Sequence, residues 1–540
     1  MFLIILLAFI LRFYQLGVNP PSLDWDEVSL GYNAYSILKT GADEYGTKFP
    51  LAIRSFGDYK PPLYTYLTIP SVAVFGLNEF AVRFPSAVFG VLTVVVTYFL
   101  VKELFNDGPK FEIGNLIFNI PTTATLLLAV SPWHLQFSRV AFEANSALFF
   151  FVLGIWLFLK GTKNGKFLVL SSFSFVASFY AYHSPRLVVP LLLLGFVFYF
   201  RQQLMKQKKW VATSLILGGC LLLPLFAVLL QGGKARFTSV TVLTPQGTLD
   251  HSIDQMEYDL ERGDPLAKII HNRRVVYLLV GIGGYLDHFN FDFLFLRGDP
   301  PGRHHPVDFG MLYLWDAPFI LFGIYFLIKN KEKTTFPLFW WFLVAPAASA
   351  ITTGTPHAVR ALLYLPTYQI FAAYGLYQFY LWTKSKLGNY GAQLILIFSF
   401  SLLALNFFYY LHMYCVHTPI ETSQDWQYGF KQVLATVSQI ENKYQKIIVT
   451  YAYDQPYIYF LFYQKTDPAW YQNLAPKGEV QRFYRSFAKY EFRHIDWEKD
   501  SRLKNTLIVG TPKEIPRDVT GQISEIKFLN GEVAFRIVER

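Results

Sequence analysis

The chain has 540 residues and a net charge of +10, and 53% of its residues are hydrophobic, 18% aromatic and only 16% charged. Soluble domains carry nearer about a quarter charged residues, so this composition excludes an ordinary soluble globular protein and indicates an integral membrane protein. The positive charge does not indicate nucleic acid, because Lys and Arg fall in short clusters between apolar runs, where charge sets topology.

Taken in chain order, Met1 to Leu11 lacks a basic leader and a small-residue cleavage site, so it reads as a retained first span. A span needs about 20 mostly apolar residues. That ruler predicts eleven, at 2–17, 83–101, 115–130, 144–159, 167–182, 187–200, 210–230, 312–328, 336–352, 361–382 and 391–413. The run 63–76 follows Lys60-Pro61-Pro62 and contains Pro70, and is predicted to lie in the membrane interface. Cys220 and Cys415 are expected at different depths, so no disulfide framework is implied.

Alternate loops carry the charge. One set holds Lys102 and Lys110; Lys160, Lys163 and Lys166; Arg201, Lys206, Lys208 and Lys209; Lys329, Lys331 and Lys333; and Lys384 and Lys386. Positive loops stay in the cytoplasm, which places the N-terminus inside and the other loops outside a plasma membrane. The expected division is a polytopic unit at 1–413, with long outer loops at 18–82 and 231–311, and an extracytoplasmic α/β unit at 414–540. Helices are predicted near 253–261 and 265–280. In the tail, a helix over 425–443 precedes strand-like runs at 447–451, 507–510, 523–529 and 533–538.

The outer loops also hold the unusual chemistry. Asp24-Trp25-Asp26-Glu27 sits just past the first apolar segment, where acids are costly unless paired or functional. The plain alternative is that Asp26 and Glu27 start a helix through 29–37, where acids favour the N-terminal dipole. Arg54 to Pro62 puts Asp58, Tyr59 and Lys60 in the same loop. Ser131 to Arg139, with Glu143 one turn on, caps two spans on the same side.

Arg12 to Gly17, Asp26-Glu27, Lys60-Pro61, Phe80 to Arg83 and Ser131 to Arg139 occur here in a fixed order and on one side. In this the chain resembles the GT-C glycosyltransferases of the protein O-mannosyltransferase and aminoarabinose-transferase type, most sharply over residues 10–190. The resemblance implies inverting transfer of a sugar from a polyprenyl or dolichyl phosphate to a hydroxyl on a protein, glycolipid or cell-surface glycan. It assigns the general base to Asp26 and gives Glu27 an orienting or ion-pairing part, with a partner such as Arg139. A departing lipid phosphate gains charge, so basic residues on the outer loops are candidate donor-phosphate ligands: Lys60, Arg139, Arg186, His357 and Arg360. Trp25, Asp58, Tyr59 and Glu143 are candidates for other substrate contacts.

Two metal readings are available from the outer loops, His304-His305 with Asp308, and Asp24 with Asp26 and Asp58. Neither is adopted, and no cofactor is expected. A transporter of lipid-linked sugars is the first rival, but the predicted spans are nearly free of charge at mid-depth, where transport sites collect ionisable groups. A non-catalytic envelope-assembly protein is the second, and it leaves the acidic loop without a role.

Overall fold

The structure, a computed structural model, describes residues 1–106, 111–113, 116–240, 246–476 and 485–540. Lys110, residue 115 of the third predicted span and 241–245 of the second long loop lie outside the described residues. Helices fall in every predicted apolar range, including Phe2–Phe13, Glu79–Phe105, Glu143–Lys163, Lys166–Ala181, Pro185–Tyr199, Lys208–Val240 and Asp316–Asn330. Their lengths are less even than eleven equal spans would require. Four described segments are long and apolar enough to cross a membrane by length and composition: Glu79–Phe105, Glu143–Lys163, Lys208–Val228 and Leu362–Glu421. Others are shorter, such as Phe2–Phe13 and Ile120–Val130. At ~1.5 Å per residue, twelve residues reach about 18 Å, short of a hydrocarbon core of about 30 Å.

The two last predicted spans form one continuous run, Thr367–His412, broken only at Gly388. Its φ of 72° is one that glycine adopts without penalty. Asp316–Asn330 packs on this run through Gly323 and Gly375, where added Cβ atoms would meet the Phe371 and Phe319 carbonyls at 2.0 and 1.9 Å. Small residues of this kind let membrane helices approach backbone to backbone.

The first outer loop is built rather than slack. Asp24 caps the helix Trp25–Thr40, accepting the Glu27 amide at 2.8 Å, while the Glu27 carboxylate accepts the Asp24 amide at 3.3 Å. Gly41, at φ 72°, ends it. A hairpin follows, Ile53–Ser55 against Asp58–Lys60, with Ile53 opposite Lys60 and Ser55 opposite Asp58. Its two-residue turn is Phe56-Gly57, both at positive φ (55° and 80°), which suits the right-handed twist of the strands. The predicted interfacial helix is Leu63–Phe75.

The tail contains a helix, Phe430–Ile440, and a six-stranded sheet. Its strands run in the order Arg485–Phe487, Tyr490–Phe492, Lys446–Val449, Thr506–Gly510, Val533–Glu539 and Gln522–Lys527. The central Lys446–Val449 strand pairs parallel with both neighbours, and the outer pairings are antiparallel. The tail is not a detached unit. Leu23, Val28, Tyr32, Tyr64 and Val82 share one buried core with Val433, Tyr457, Phe460 and Phe535. Gly31 sits at the seam, where a Cβ would come within 2.5 Å of Val82 and 2.7 Å of Phe462. Tyr32 donates to the Thr466 carbonyl at 3.1 Å, and Tyr459 to the Leu23 carbonyl at 3.2 Å. The loop that carries the acids is therefore clamped from above by the tail.

Candidate functional site

Burial separates three neighbouring acids. The side chain of Asp26 keeps 37% of its surface exposed, whereas those of Asp24 and Glu27 keep none. Successive residues in the first helical turn point about 100° apart, which turns Asp26 outward and Glu27 inward.

Glu27 is a structural hub. Both its oxygens lie 2.9 Å from the guanidinium of Arg83, and it also accepts the Ala141 amide at 2.8 Å. Arg83 spends its remaining donors on the carbonyls of Leu16, Pro20 and Ser22. This corrects the expected pairing of Glu27 with Arg139, and a carboxylate so enclosed holds the loop rather than touching a substrate. Arg139 is itself 4% exposed, with Nη1 on the Leu11 carbonyl at 2.7 Å, Nη2 on the Asn19 carbonyl at 2.9 Å and Nε on the Tyr414 hydroxyl at 2.9 Å. It ties the first helix and its loop to the end of the last span, which argues against the donor-phosphate role expected of it.

Lys60 is where the chemistry converges. The hairpin delivers its ammonium to Asp26, with which it forms an ion pair, and to the face of Phe56 at 5.3 Å. Burial pulls the Lys60 ammonium toward a lower pKa, but Asp26 and Glu143 outweigh it, so the group is held above the ordinary lysine value and stays charged. Glu143, expected from the sequence to contact substrate, thus acts on this cation. Asp58, beside the turn, accepts the Tyr59 amide at 2.7 Å, and Tyr59 is 44% exposed.

A second cation arrives from the other long loop. Arg303 meets Asp24 at 2.5 Å and stacks over the Trp25 ring at 4.5 Å. Burial lowers its affinity for a proton, but Asp24 and Asp26 together reverse this and hold it charged. Burial pushes the Asp24 carboxyl up to about 7 against the pull of Arg303, with Asp26 and Glu27 adding to the rise. The Arg303 carbonyl accepts from Gln136 at 2.6 Å, which seats this loop on the Pro132–Arg139 helix. Arg303 was missed from the sequence because it lies 279 residues from Asp24 in a loop with no periodic signal.

The remaining candidates are placed elsewhere. Arg186 is held by the Phe179 carbonyl at 3.1 Å and by His183, and Arg360 by Thr352 and the Thr353 carbonyl. His357 belongs with Asp299 and His304, whose possible ligand atoms lie within 4.8 Å of one another. His305 instead contacts the Asp299 and Pro306 carbonyls. What results around Asp26 is an open carboxylate at a helix start, flanked by two cations from different loops. Such a cluster can hold an anion beside a proton acceptor.

Residues 59–228 match the family model of dolichyl-phosphate-mannose-protein mannosyltransferases. YkcB of Bacillus subtilis (strain 168), provisionally assigned as a mannosyltransferase, is 26% identical over 141 residues, 26% of this chain and 18% of that protein. An uncharacterized protein of Aquifex aeolicus (strain VF5) is 30% identical over 169 residues, 31% of each chain. These matches therefore span less than a third of either relative. The fold is shared over almost the full length with ArnT from Cupriavidus metallidurans in the apo state, with a TM-score of 0.56 at 12% identity, covering 99% of this chain and 97% of that one. The same protein bound to undecaprenyl phosphate gives 0.54. The resemblance read from the motifs holds: the chain is a membrane protein with the GT-C fold of the mannosyltransferase and ArnT type.

Proposed function

We propose, from a chain of the GT-C type as premise, that this protein is an inverting glycosyltransferase. It moves a sugar from a polyprenyl or dolichyl phosphate to a hydroxyl acceptor at the outer face of the membrane. The observation that carries this reading is the open Asp26 carboxylate flanked by Lys60 and by Arg303. The carrier class is supported by ArnT, whose fold the chain shares and which has been solved with undecaprenyl phosphate.

The chemistry follows from the cluster. The acceptor oxygen attacks the anomeric carbon and its proton passes to Asp26, acting as general base. The bond from that carbon to the phosphate oxygen breaks, and the phosphate keeps the electron pair. Lys60 and Arg303 stabilise this gathering charge in a partly water-excluded site. Before the donor arrives, Lys60 neutralises Asp26. A phosphate competing for the Lys60 ammonium leaves the carboxylate free to take a proton, which couples donor binding to activation of the base. Trp25, packed under Arg303, fixes that guanidinium from one side.

Five basic loops in succession support a cytoplasmic N-terminus and an outer position for the tail and the acid loop it clamps. The boundary at 413/414 divides the membrane part from the tail along the chain, although the two share a core.

A panel of polyprenyl-phosphate sugars, supplied to the full-length protein in nanodiscs, tests the reading by mass spectrometry of the released polyprenyl phosphate. Lys60→Ala is expected to lower kcat/KM for the active donor by about 10²–10³-fold, as loss of one stabilising donor does in comparable anion sites. Unchanged kcat and KM for the donor would remove Lys60 from the site. A panel from which no member releases polyprenyl phosphate would count against the transferase reading itself.

A further inference from the structure

Away from Asp26, the tail holds a cavity of about 600 Å³ between its edge hairpin and its helices. Glu441 reaches it from just past Phe430–Ile440, and Gln464 and Thr466 from the turn after the helix Pro456–Tyr463. Trp470 comes from the short helix Pro468–Leu474, and Lys489 and Tyr490 from the hairpin that pairs Arg485–Phe487 with Tyr490–Phe492. Small-ligand sites fall in this size range, about 300–1,000 Å³, and set a few placed polar groups against apolar walls.

The polar groups are preset. Gln464 Nε2 donates to the Tyr490 hydroxyl at 2.8 Å, and that hydroxyl donates to the Glu441 carboxylate. Burial, with Glu441 beside it, holds the Tyr490 hydroxyl above the ordinary tyrosine value, so it stays protonated. The Lys489 ammonium donates to the Glu441 carbonyl at 2.7 Å, which uses one of its three hydrogens. One acid and one base balance, which suits a neutral ligand and not a polyanion. Trp470 lines the same cavity and is 43% exposed, its ring fixed by an edge contact to Phe487 at 6.4 Å. A tryptophan that anchors a membrane surface keeps apolar company. This one shares its cavity with a carboxylate, an amide, an ammonium and hydroxyls.

We propose that this cavity binds a neutral saccharide, the part of a glycan acceptor that lies beyond the reacting hydroxyl. An indole packs on the C–H face of a sugar ring, and neighbouring sugar hydroxyls meet carboxylate, amide and ammonium groups set side by side. The position suits an acceptor. Thr466, on the rim, accepts from Tyr32, and Gln472, two residues from Trp470, donates to the Ser36 and Thr40 hydroxyls at 3.0 and 2.8 Å. The cavity is thereby anchored to the helix Trp25–Thr40, whose first turn carries Asp26. At ~1.5 Å per residue, Tyr32 lies about 9 Å along that helix from Asp26. Saccharide binding stands apart from the transferase reading, and only the assignment of the saccharide as acceptor rests on it.

The test uses the full-length protein in nanodiscs without donor, titrated with maltotriose, cellotriose, mannotriose and triacetylchitotriose and read by saturation-transfer NMR. At least one is expected to bind. Trp470→Ala is expected to weaken that binding at least about tenfold, and Trp470→Phe, which keeps an aromatic ring, to weaken it less. In the wild type, backbone hydrogen exchange is expected to slow across 464–474 when the trisaccharide is added, a footprint that needs no variant. No binding by any of these sugars, undiminished binding by Trp470→Ala, or exchange slowed only elsewhere would each overturn the site. With the bound trisaccharide as acceptor, Trp470→Ala is expected to raise acceptor KM about tenfold and leave donor KM in place. An unchanged acceptor KM would overturn the acceptor assignment. Binding is read without turnover, so an inert donor panel leaves that result interpretable.

Discussion

Asp26→Asn is expected to lower sugar transfer by about 10²–10⁴-fold, the contribution typical of a positioned general base, while the protein inserts and purifies as before. The substitution keeps the shape of the side chain and removes its charge and basicity. Asp26 is the accessible acid of the three, and Glu143 still faces the Lys60 ammonium when the Asp26 charge is removed, so its loss costs less than that of either buried acid. The neighbouring Asp24→Asn behaves differently. Asp24 is buried, caps the helix and pairs with Arg303, so its variant loses stability along with activity. Turnover per folded molecule, from released polyprenyl phosphate and a thermal melt on one preparation, separates the two. An Asp26→Asn protein that retains wild-type turnover contradicts the assignment.

Arg83→Ala is expected to be the most destabilising single change at the site, by about 3–5 kcal/mol, because it leaves the Glu27 carboxylate buried and uncompensated. It also strands the Leu16, Pro20 and Ser22 carbonyls that Arg83 holds. Glu27→Gln alone breaks the same pair from the other side. The two losses are coupled, so adding Glu27→Gln to Arg83→Ala lowers the melting temperature much less than Glu27→Gln does in the wild type. Strictly additive shifts would show that the pair does not act as a unit.

The sequence made the apolar framework legible, because runs of hydrophobic residues report directly on burial. The tail strands at 446–449, 506–510 and 533–539 were legible for the same reason, as β-branched runs between turns. Where the helices stop was not. Tyr14 leaves the first helix for extended backbone short of the predicted end at 17, although the break at Gly388 falls within the predicted gap between the last two spans.

Site residues divided in the same way. Asp26 and Lys60 sit in compact motifs, yet their contact depends on a hairpin turned by Phe56-Gly57, an unusual pair for two positive φ angles. Asp26 and Glu27 are adjacent and chemically alike. Only helix geometry and the arrival of Arg83 decide that one stays exposed and the other faces the core. Arg139 and Arg303 show the reverse error. A motif arginine is consumed by backbone carbonyls, and an unremarked loop arginine reaches the acids. Long-range pairing of charges in a low-dielectric interior is a property of the fold, and no local pattern carries it.

The central claim is that Asp26 works beside a lipid phosphate held by Lys60 and Arg303. A cryo-EM map of the full-length protein in nanodiscs with an unreactive polyprenyl-phosphate sugar tests it most directly. The account predicts phosphate density within about 4 Å of the Lys60 ammonium and the Arg303 guanidinium, distances typical of charge-assisted contacts, with the anomeric carbon facing Asp26. Phosphate bound instead against Arg186 or Arg360, with Asp26 closed off from the sugar, would contradict it.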